Sequence, residues 1–234
     1  NKPLFASIGT MSHHHDFRSY PKNRPLIYPN ASTGDEHFSN SMFLADEYLK
    51  TFFHELKQRD YLKNSMVIIV GDHGFPSAGI SIAVNGGFIY SGFSEELYRT
   101  PFLMLYDHLI PKRKKNAYAH TDIAPTILDF VGIRELVHFP GTSILSENEQ
   151  HLFHLIQPFD GSYISSVIHP YKHVFHEQTG DEFIYNVERD PEETNDILED
   201  IRAENPKMLE RLQGGLKKAY IHQKLIDEDR IWPY

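Results

Sequence analysis

The chain has 234 residues, 40% of them hydrophobic, which is enough for one α/β domain or one and a half ordinary ones built around a real core. Its formal net charge of -9 argues against a broad nucleic-acid surface, although a local anion site needs only a few cations or a metal. The lack of cysteine excludes a disulfide, a thiolate nucleophile and a cysteine-ligated metal, and no apolar run reaches the roughly 18 residues of a membrane span, so the chain as written is expected to be soluble.

In chain order, Leu4 to Met11 (LFASIGTM) is a short apolar run predicting a buried strand, whose end delivers the segment SHHHDF. YPKNRPLIYPNASTGDEH follows as a long proline- and asparagine-rich surface loop. From Phe38 to Leu56, apolar residues recur at spacings of three and four and predict an amphipathic helix, with Asp35 as its cap. Met66 to Val70 (MVIIV) is the continuous β-branched run of a central parallel strand, and it leads directly into Gly71-Asp72-His73-Gly74. Pro101 to Tyr106 (PFLMLY) predicts a further strand, followed by the basic loop PKRKK. HTDIAPTILDFVGI then reads as a helix, with Thr121 or Asp122 capping it, Pro125 in its first turn and Gly132 ending it.

Beyond Pro140 the pattern changes to short strands (HLFHLI, YISSVI, HVFHE, FIYNVE) separated by Pro, Gly and Asp, as in an antiparallel meander. Asp190-Pro191-Glu192-Glu193 has the cap, proline and acids of a helix start, and Pro206 to about Ile221 predicts a final amphipathic helix. The expected architecture is α/β: a mostly parallel sheet flanked by helices over residues 1–140, then a small antiparallel sheet with a helix over 141–234.

With fifteen histidines, a metal or acid–base site is worth seeking. Gly71-Asp72-His73-Gly74 is the sharpest signal, because a carboxylate and an imidazole leaving a buried strand stand where open α/β sheets bind ligands. Both side chains suit a divalent cation such as Zn or Mn, and the flanking glycines let the backbone turn and a ligand approach. Taken alone, the tetrapeptide reads as a loop in which Asp72 caps a turn and His73 is solvated.

The wider sequence resembles the sulfatase and alkaline phosphatase superfamily. LKQRDYLKNSMVIIVGDHG is similar to its helix, turn, strand and metal-binding Asp-His-Gly; RTPFLMLYDHLIP with HTDIAPTILDFVGI resembles its next strand and "DiaPTlLdllGi" helix; FIYNVERDPEETNDI resembles its C-terminal "lYdl..DP.E..Nl" segment. GDHG together with TMSHHHDF resembles most the lipoteichoic acid synthase and phosphoglycerol transferase branch, whose "t.shHxPF" carries a substrate-contacting histidine. Matching back from Phe17 places that role on His14, with Asp16 standing where the branch usually has proline.

The resemblance implies an alkaline-phosphatase-like fold in which Asp72 and His73 bind a divalent metal (Mn, Zn, Mg or Ca). His14 and Arg99, at the "R.P" position, would then meet an anionic ester as catalytic and substrate-binding groups. Arg99 can equally form a structural ion pair. His120 is a weaker substrate-binding candidate, and PKRKK is either a solvated loop or a contact for anionic lipid or polymer. A threonine, serine or modified cysteine nucleophile and an acidic metal ligand belong to a part of the family's domain upstream of Leu4. The chain therefore reads as the C-terminal half of a catalytic domain, inactive alone, whose partners are its upstream half and a phosphate- or sulfate-ester substrate, lipid- or glycan-linked esters included. No nucleic acid is expected as a partner. Resemblance also implies an extracytoplasmic domain, periplasmic or at the cell surface, tethered by upstream membrane helices.

Three functions compete. The first is phosphoester transfer or hydrolysis through a covalent intermediate, and the second is sulfuric ester hydrolysis. Against the sulfatase stands the absence from ISIAVNGGFIYSGFSEELY of the lysine that sulfatases often carry there. The third is a binding or scaffold protein that kept the sheet and lost the nucleophile.

Overall fold

The computed structural model describes residues 3–11, 13–14, 16–74, 93–134, 139–146, 151–157 and 163–230. His15 of the histidine triplet lies outside them. The described residues form two compact units: one comprises the chain up to Asp72 together with 100–111, and the other comprises His73 and Gly74, 93–99 and everything from Lys112.

The first unit is built on helix α1 (Gly34–Gln58). Its N-cap is Thr33 rather than Asp35. Thr33 Oγ1 accepts from Glu36 N–H at 3.3 Å while Glu36 Oε2 accepts from Thr33 N–H at 3.1 Å, a reciprocal capping box that Asp35, one residue inside, cannot make. The buried face of α1 presents Asn40, Ser41 and Leu44. Asn40 clasps the long preceding loop: its amide donates to Tyr20 Oη (3.0 Å) and Tyr28 O (2.8 Å), and its Oδ1 accepts from Tyr28 N–H (2.9 Å).

After a turn of 3-10 helix (Tyr61–Asn64) come β1 (Val67–Val70) and β2 (Phe102–Leu105). Met66 to Val70 is expected in a parallel strand, but β1 pairs antiparallel with β2, Val67 opposite Leu105 and Val70 opposite Phe102. Nor is the expected buried strand found: β1 is half-buried with Val70 38% exposed, and Leu103 of β2 is 53% exposed, because an apolar run gives neither direction nor burial without the neighbours that cover it. The strand expected over Leu4 to Met11 is not formed: these residues lack regular structure, and Leu4 is 89% exposed. An apolar run becomes a strand only by pairing, and no described strand pairs with it.

The second unit contains α2 (Ile123–Phe130) and the expected meander, with β3 (Leu152–Gln157), β4 (Tyr163–Ile168), β5 (Tyr171–His176) and β6 (Glu182–Asn186) in sequential antiparallel order. Gly132, with φ of 80°, ends the turn after α2 as a left-handed residue must. One sheet face packs against α3 (Leu198–Glu204) and α4 (Pro206–Asp227) through Ile168, Ile184, Ile201, Leu209 and Leu212. Each fully buried Ile or Leu there contributes about 1.5–3 kcal/mol. The other face buries Val174, Tyr185 and Val187 under Phe93.

The helix expected at Asp190 starts instead at Leu198. Asp190 accepts from Asn195 N–H at 2.8 Å, closing a turn, and Glu193 has φ of 54°, which a right-handed helix cannot contain. Asp196 makes the helix entry, its Oδ1 accepting from Leu198 N–H (3.0 Å) and from Ile184 N–H in β6 (2.9 Å).

Helix α4 approaches β4 most closely at Gly215, where a Cβ would lie 1.9 Å from Ser166 Oγ and 2.8 Å from its Cβ; at Gly214 a Cβ would meet nothing within 4 Å. Gly214→Ala should therefore raise unfolding free energy by up to about 1 kcal/mol through helix propensity. Gly215→Ala should lower it, because overpacking at about 1–3 kcal/mol outweighs the same propensity gain. Urea denaturation of the two variants beside the parent checks the opposite signs.

Candidate metal and ester site

In the first unit, His14 opens a tight turn in which Phe17 N–H donates to His14 O at 2.8 Å. Phe17 is its anchor, 3% exposed, edge-on to Phe38 of α1 with centroids 5.1 Å apart, and it holds φ of 62°. A bulky residue enters that left-handed region only when surrounding packing enforces it. Burial of Phe17 thus fixes the backbone that presents His14, whose side chain is exposed. The neighbouring Asp16 is also exposed, 3.9 Å from Arg18 Nε.

Asp72 leaves the C-terminal end of β1 and is exposed. The ladder continues one step beyond the strands through Gly71 N–H donating to Pro101 O at 3.2 Å. A side chain at Gly71 would crowd Thr100, whose Cβ would be 3.1 Å away, so this glycine eases the close approach of the two segments.

In the second unit, His73 is exposed and its Nδ1–H donates to Gly74 O at 2.7 Å. That tautomer places the lone pair on Nε2, the atom that would ligate a cation. Gly74 N–H donates to Leu97 O at 3.0 Å, fastening the loop of His73 to the short 3-10 turn Glu95–Leu97, which leads into Arg99. His73 and Arg99 are therefore carried by hydrogen-bonded segments. The Arg99 side chain is 43% exposed, with Nε 3.7 Å from Glu95 Oε2. Among the described residues, no group of three or more His, Asp or Glu side chains is arranged to hold a metal ion.

His120 is exposed at the start of the 3-10 turn His120–Asp122, which leads into α2. Asp122 secures that turn. Fully buried, its Oδ2 accepts from Ala119 N–H (2.8 Å) and from His151 Nε2–H (2.9 Å), and its Oδ1 accepts from Thr142 N–H (2.8 Å). Burial pushes the carboxyl upward, but the His151 hydrogen bond and the two amide donors together outweigh it and hold Asp122 below the usual carboxylate range. The expected helix cap is thus a clasp of three segments, and His151, unassigned from sequence, is its second half.

Sequence reasoning also missed a buried charge cluster. Lys172 in β5 is fully buried; its ammonium donates to Phe93 O and to Glu193 Oε1 (2.7 Å) and lies 3.7 Å from Glu95 Oε1. Burial, and then the carboxylates of Glu193 and Glu95, push the Tyr98 phenol above its ordinary range. The available signal was Lys172 two residues before Val174, and therefore on the same face of its strand as that apolar residue.

The sulfatase family profile matches residues 1–133, more than half of the chain, and the chain belongs to that family. It is 30% identical over 161 residues to lipoteichoic acid synthase 1 of Bacillus subtilis (strain 168), covering 63% of this chain and 24% of that protein. It is 28% identical over 184 residues to lipoteichoic acid synthase of Staphylococcus aureus (strain USA300), covering 74% of this chain and 26% of that protein. The chain thus spans about a quarter of the length of these relatives. Among solved structures it is similar to a Vibrio parahaemolyticus protein of the alkaline phosphatase superfamily (TM-score 0.70, 16% identity, 96% of this chain and 49% of that one) and to Ps i-CgsB (TM-score 0.64, 17% identity, 81% and 45%). These likenesses establish the alkaline-phosphatase-like α/β fold.

Because the folded-state pKa of Asp122 is depressed, its contribution to stability is full above the unfolded value near 4 and is lost as pH falls through the folded value. Urea unfolding from pH 6 down to pH 2 should show a steeper loss of stability below pH 4 in the parent than in Asp122→Asn, which should also be less stable at pH 6.

Proposed function

We propose that this chain forms part of a divalent-metal-dependent enzyme that transfers or hydrolyses phosphate esters, of the lipoteichoic acid synthase type, through a covalent intermediate whose nucleophile lies outside these residues. The observation that carries this reading is Asp72-His73-Gly74 leaving the end of β1 with both side chains exposed, in a chain whose curated relatives bear that name.

The donor set fits the group. A carboxylate oxygen and an imidazole nitrogen suit Mn, Zn, Mg or Ca to different degrees, and the Nδ1–H bond to Gly74 O orients His73 as hydrogen bonds from ligating imidazoles do. Asp72 and His73 would hold the ion, with further ligands from elsewhere in the protein. When bound, the cation would lower the pKa of the nucleophile and offset charge on the ester oxygens.

The chain's other residues act on the substrate. Arg99 presents a planar guanidinium whose paired donors match two oxygens of a phosphoryl group. His14, on the turn that Phe17 N–H closes, hydrogen-bonds the substrate headgroup or the transferring group, and His120 contributes a further polar contact. Residues 1–140 then act as the later part of the catalytic core, with 141–234 as an appended sheet and helix. Relatives named for lipoteichoic acid synthesis support a phosphate ester carried on a lipid or glycan and an extracytoplasmic location; no described helix is long and apolar enough to cross a membrane.

The full-length protein should retain a divalent metal through purification and hydrolyse p-nitrophenyl phosphate or bis-p-nitrophenyl phosphate faster than p-nitrophenyl sulfate. Asp72→Ala should lose the metal and at least about 100-fold in turnover, since even outer-shell partners of metal ligands are worth 10–100-fold. Elemental analysis reads the first and a chromogenic assay the second. Preferential sulfate turnover would move the assignment to sulfuric ester hydrolysis, and a folded, metal-free, inert parent would leave a binding role.

A further inference from the structure

The buried cluster around Lys172 has no part in the metal chemistry, yet its outermost member touches Arg99, to which the proposed function gives the ester. Glu95 meets Arg99 twice. Its backbone carbonyl accepts from Arg99 N–H at 2.8 Å, and its Oε2 lies 3.7 Å from Arg99 Nε. Glu95 is itself held twice from below. Its N–H donates to Glu193 Oε2 at 2.6 Å, and its Oε1 lies 3.7 Å from the Lys172 ammonium, which also donates to Glu193 Oε1 at 2.7 Å and to Phe93 O. The Glu95 carboxylate is therefore shared between a buried cation on one side and a partly exposed one on the other.

Charge counting gives this arrangement a direction. One ammonium and two carboxylates leave a formal charge of -1, and Arg99 is the cation that balances it. The Lys172 side chain has no exposure, while Arg99 keeps 43% of its side chain in solvent. The inner members cannot reach a ligand, and the outer one can. A guanidinium tethered at Nε by one carboxylate still presents its terminal nitrogens to an incoming anion, with fewer rotamers to lose on binding.

We infer that Glu95 is the positioning residue of Arg99, set by the buried Lys172–Glu193 pair, so that the appended sheet orients the guanidinium that receives the anionic ester. The inference rests on the proposed substrate role of Arg99. It assigns to Lys172 and Glu193, which touch no substrate, an effect on substrate affinity.

A double-mutant cycle in the full-length protein, with p-nitrophenyl phosphate or bis-p-nitrophenyl phosphate as the probe, tests it. Arg99→Ala should raise KM by about tenfold or more, the value of one charge-assisted hydrogen bond. Glu95→Gln, which keeps the backbone bonds, should raise KM severalfold with kcat nearly unchanged. The pair Glu95→Gln/Arg99→Ala should be no worse than Arg99→Ala alone. Lys172→Met should raise KM in the same sense and Lys172→Arg should restore part of it, with far-UV circular dichroism confirming that each variant is folded. If the Glu95→Gln defect adds in full to that of Arg99→Ala, the positioning inference is overturned while the role of Arg99 stands. An Arg99→Ala variant with unchanged KM overturns that role and the inference with it.

Discussion

A buried ammonium without a counterion would cost several kcal/mol, and the pairing of Lys172 with Glu193 is what makes the second unit possible. Lys172 sits in the third strand of the appended four, Glu193 in the loop after the last strand, and Phe93 and Glu95 in a turn far earlier in the chain. One cation thus brings together three segments that no local propensity would join. The positive φ of Glu193 follows from the same demand: its carboxylate must turn inward to reach Lys172, and the loop bends to allow it. Burial pushes this carboxyl above its usual range, against the pull of Lys172, so the pair contributes more to specifying the arrangement than to net stability.

Much of the fold was legible because its signals are periodic. The helix at Phe38 to Leu56, the four strands after residue 150 and the final helix each repeat a hydrophobic pattern long enough to fix their type, and α1, the meander and α4 stand where those patterns fall. What was misread depends on partners distant in sequence. LFASIGTM has a strand's composition, but composition supplies no ladder. Asp190-Pro191-Glu192-Glu193 has the chemistry of a helix start, yet its acids are recruited by Asn195 and Lys172. Thr33 and Glu36 spelled a capping box in plain sequence, and the nearer Asp35 drew the assignment instead.

The candidate site divides along a similar line. A carboxylate and an imidazole adjacent in sequence can be noticed without a structure, because their meaning lies in residue type and in the strand before them. The side chains that support the site could not be noticed, since a lysine in a strand or a histidine before one reads as surface until its surroundings are known. His151 acquires its role only beside the buried Asp122 and Thr142, and Lys172 only beside Glu193. Such groups are silent in sequence for a physical reason: an ionisable residue is buried only where its counter-charge is supplied, and here that charge comes from elsewhere in the chain.

The motifs that resemble the sulfatase superfamily therefore carry two kinds of information. In the C-terminal segment FIYNVERDPEETNDI the acids are used for architecture: Asp190 closes a turn, Glu193 neutralises Lys172, and Asp196 accepts from Ile184 and Leu198 at the junction of sheet and helix. Acids used in this way say nothing of an ester. Asp122, in the segment that resembles the family's "DiaPT" helix, is of the same kind, fully enclosed and satisfied by three donors. Asp72 and His73 differ in place, since both are exposed just past the end of a strand. That position, where open α/β sheets bind ligands, is why the functional reading rests on two residues out of the many that the family resemblance covers.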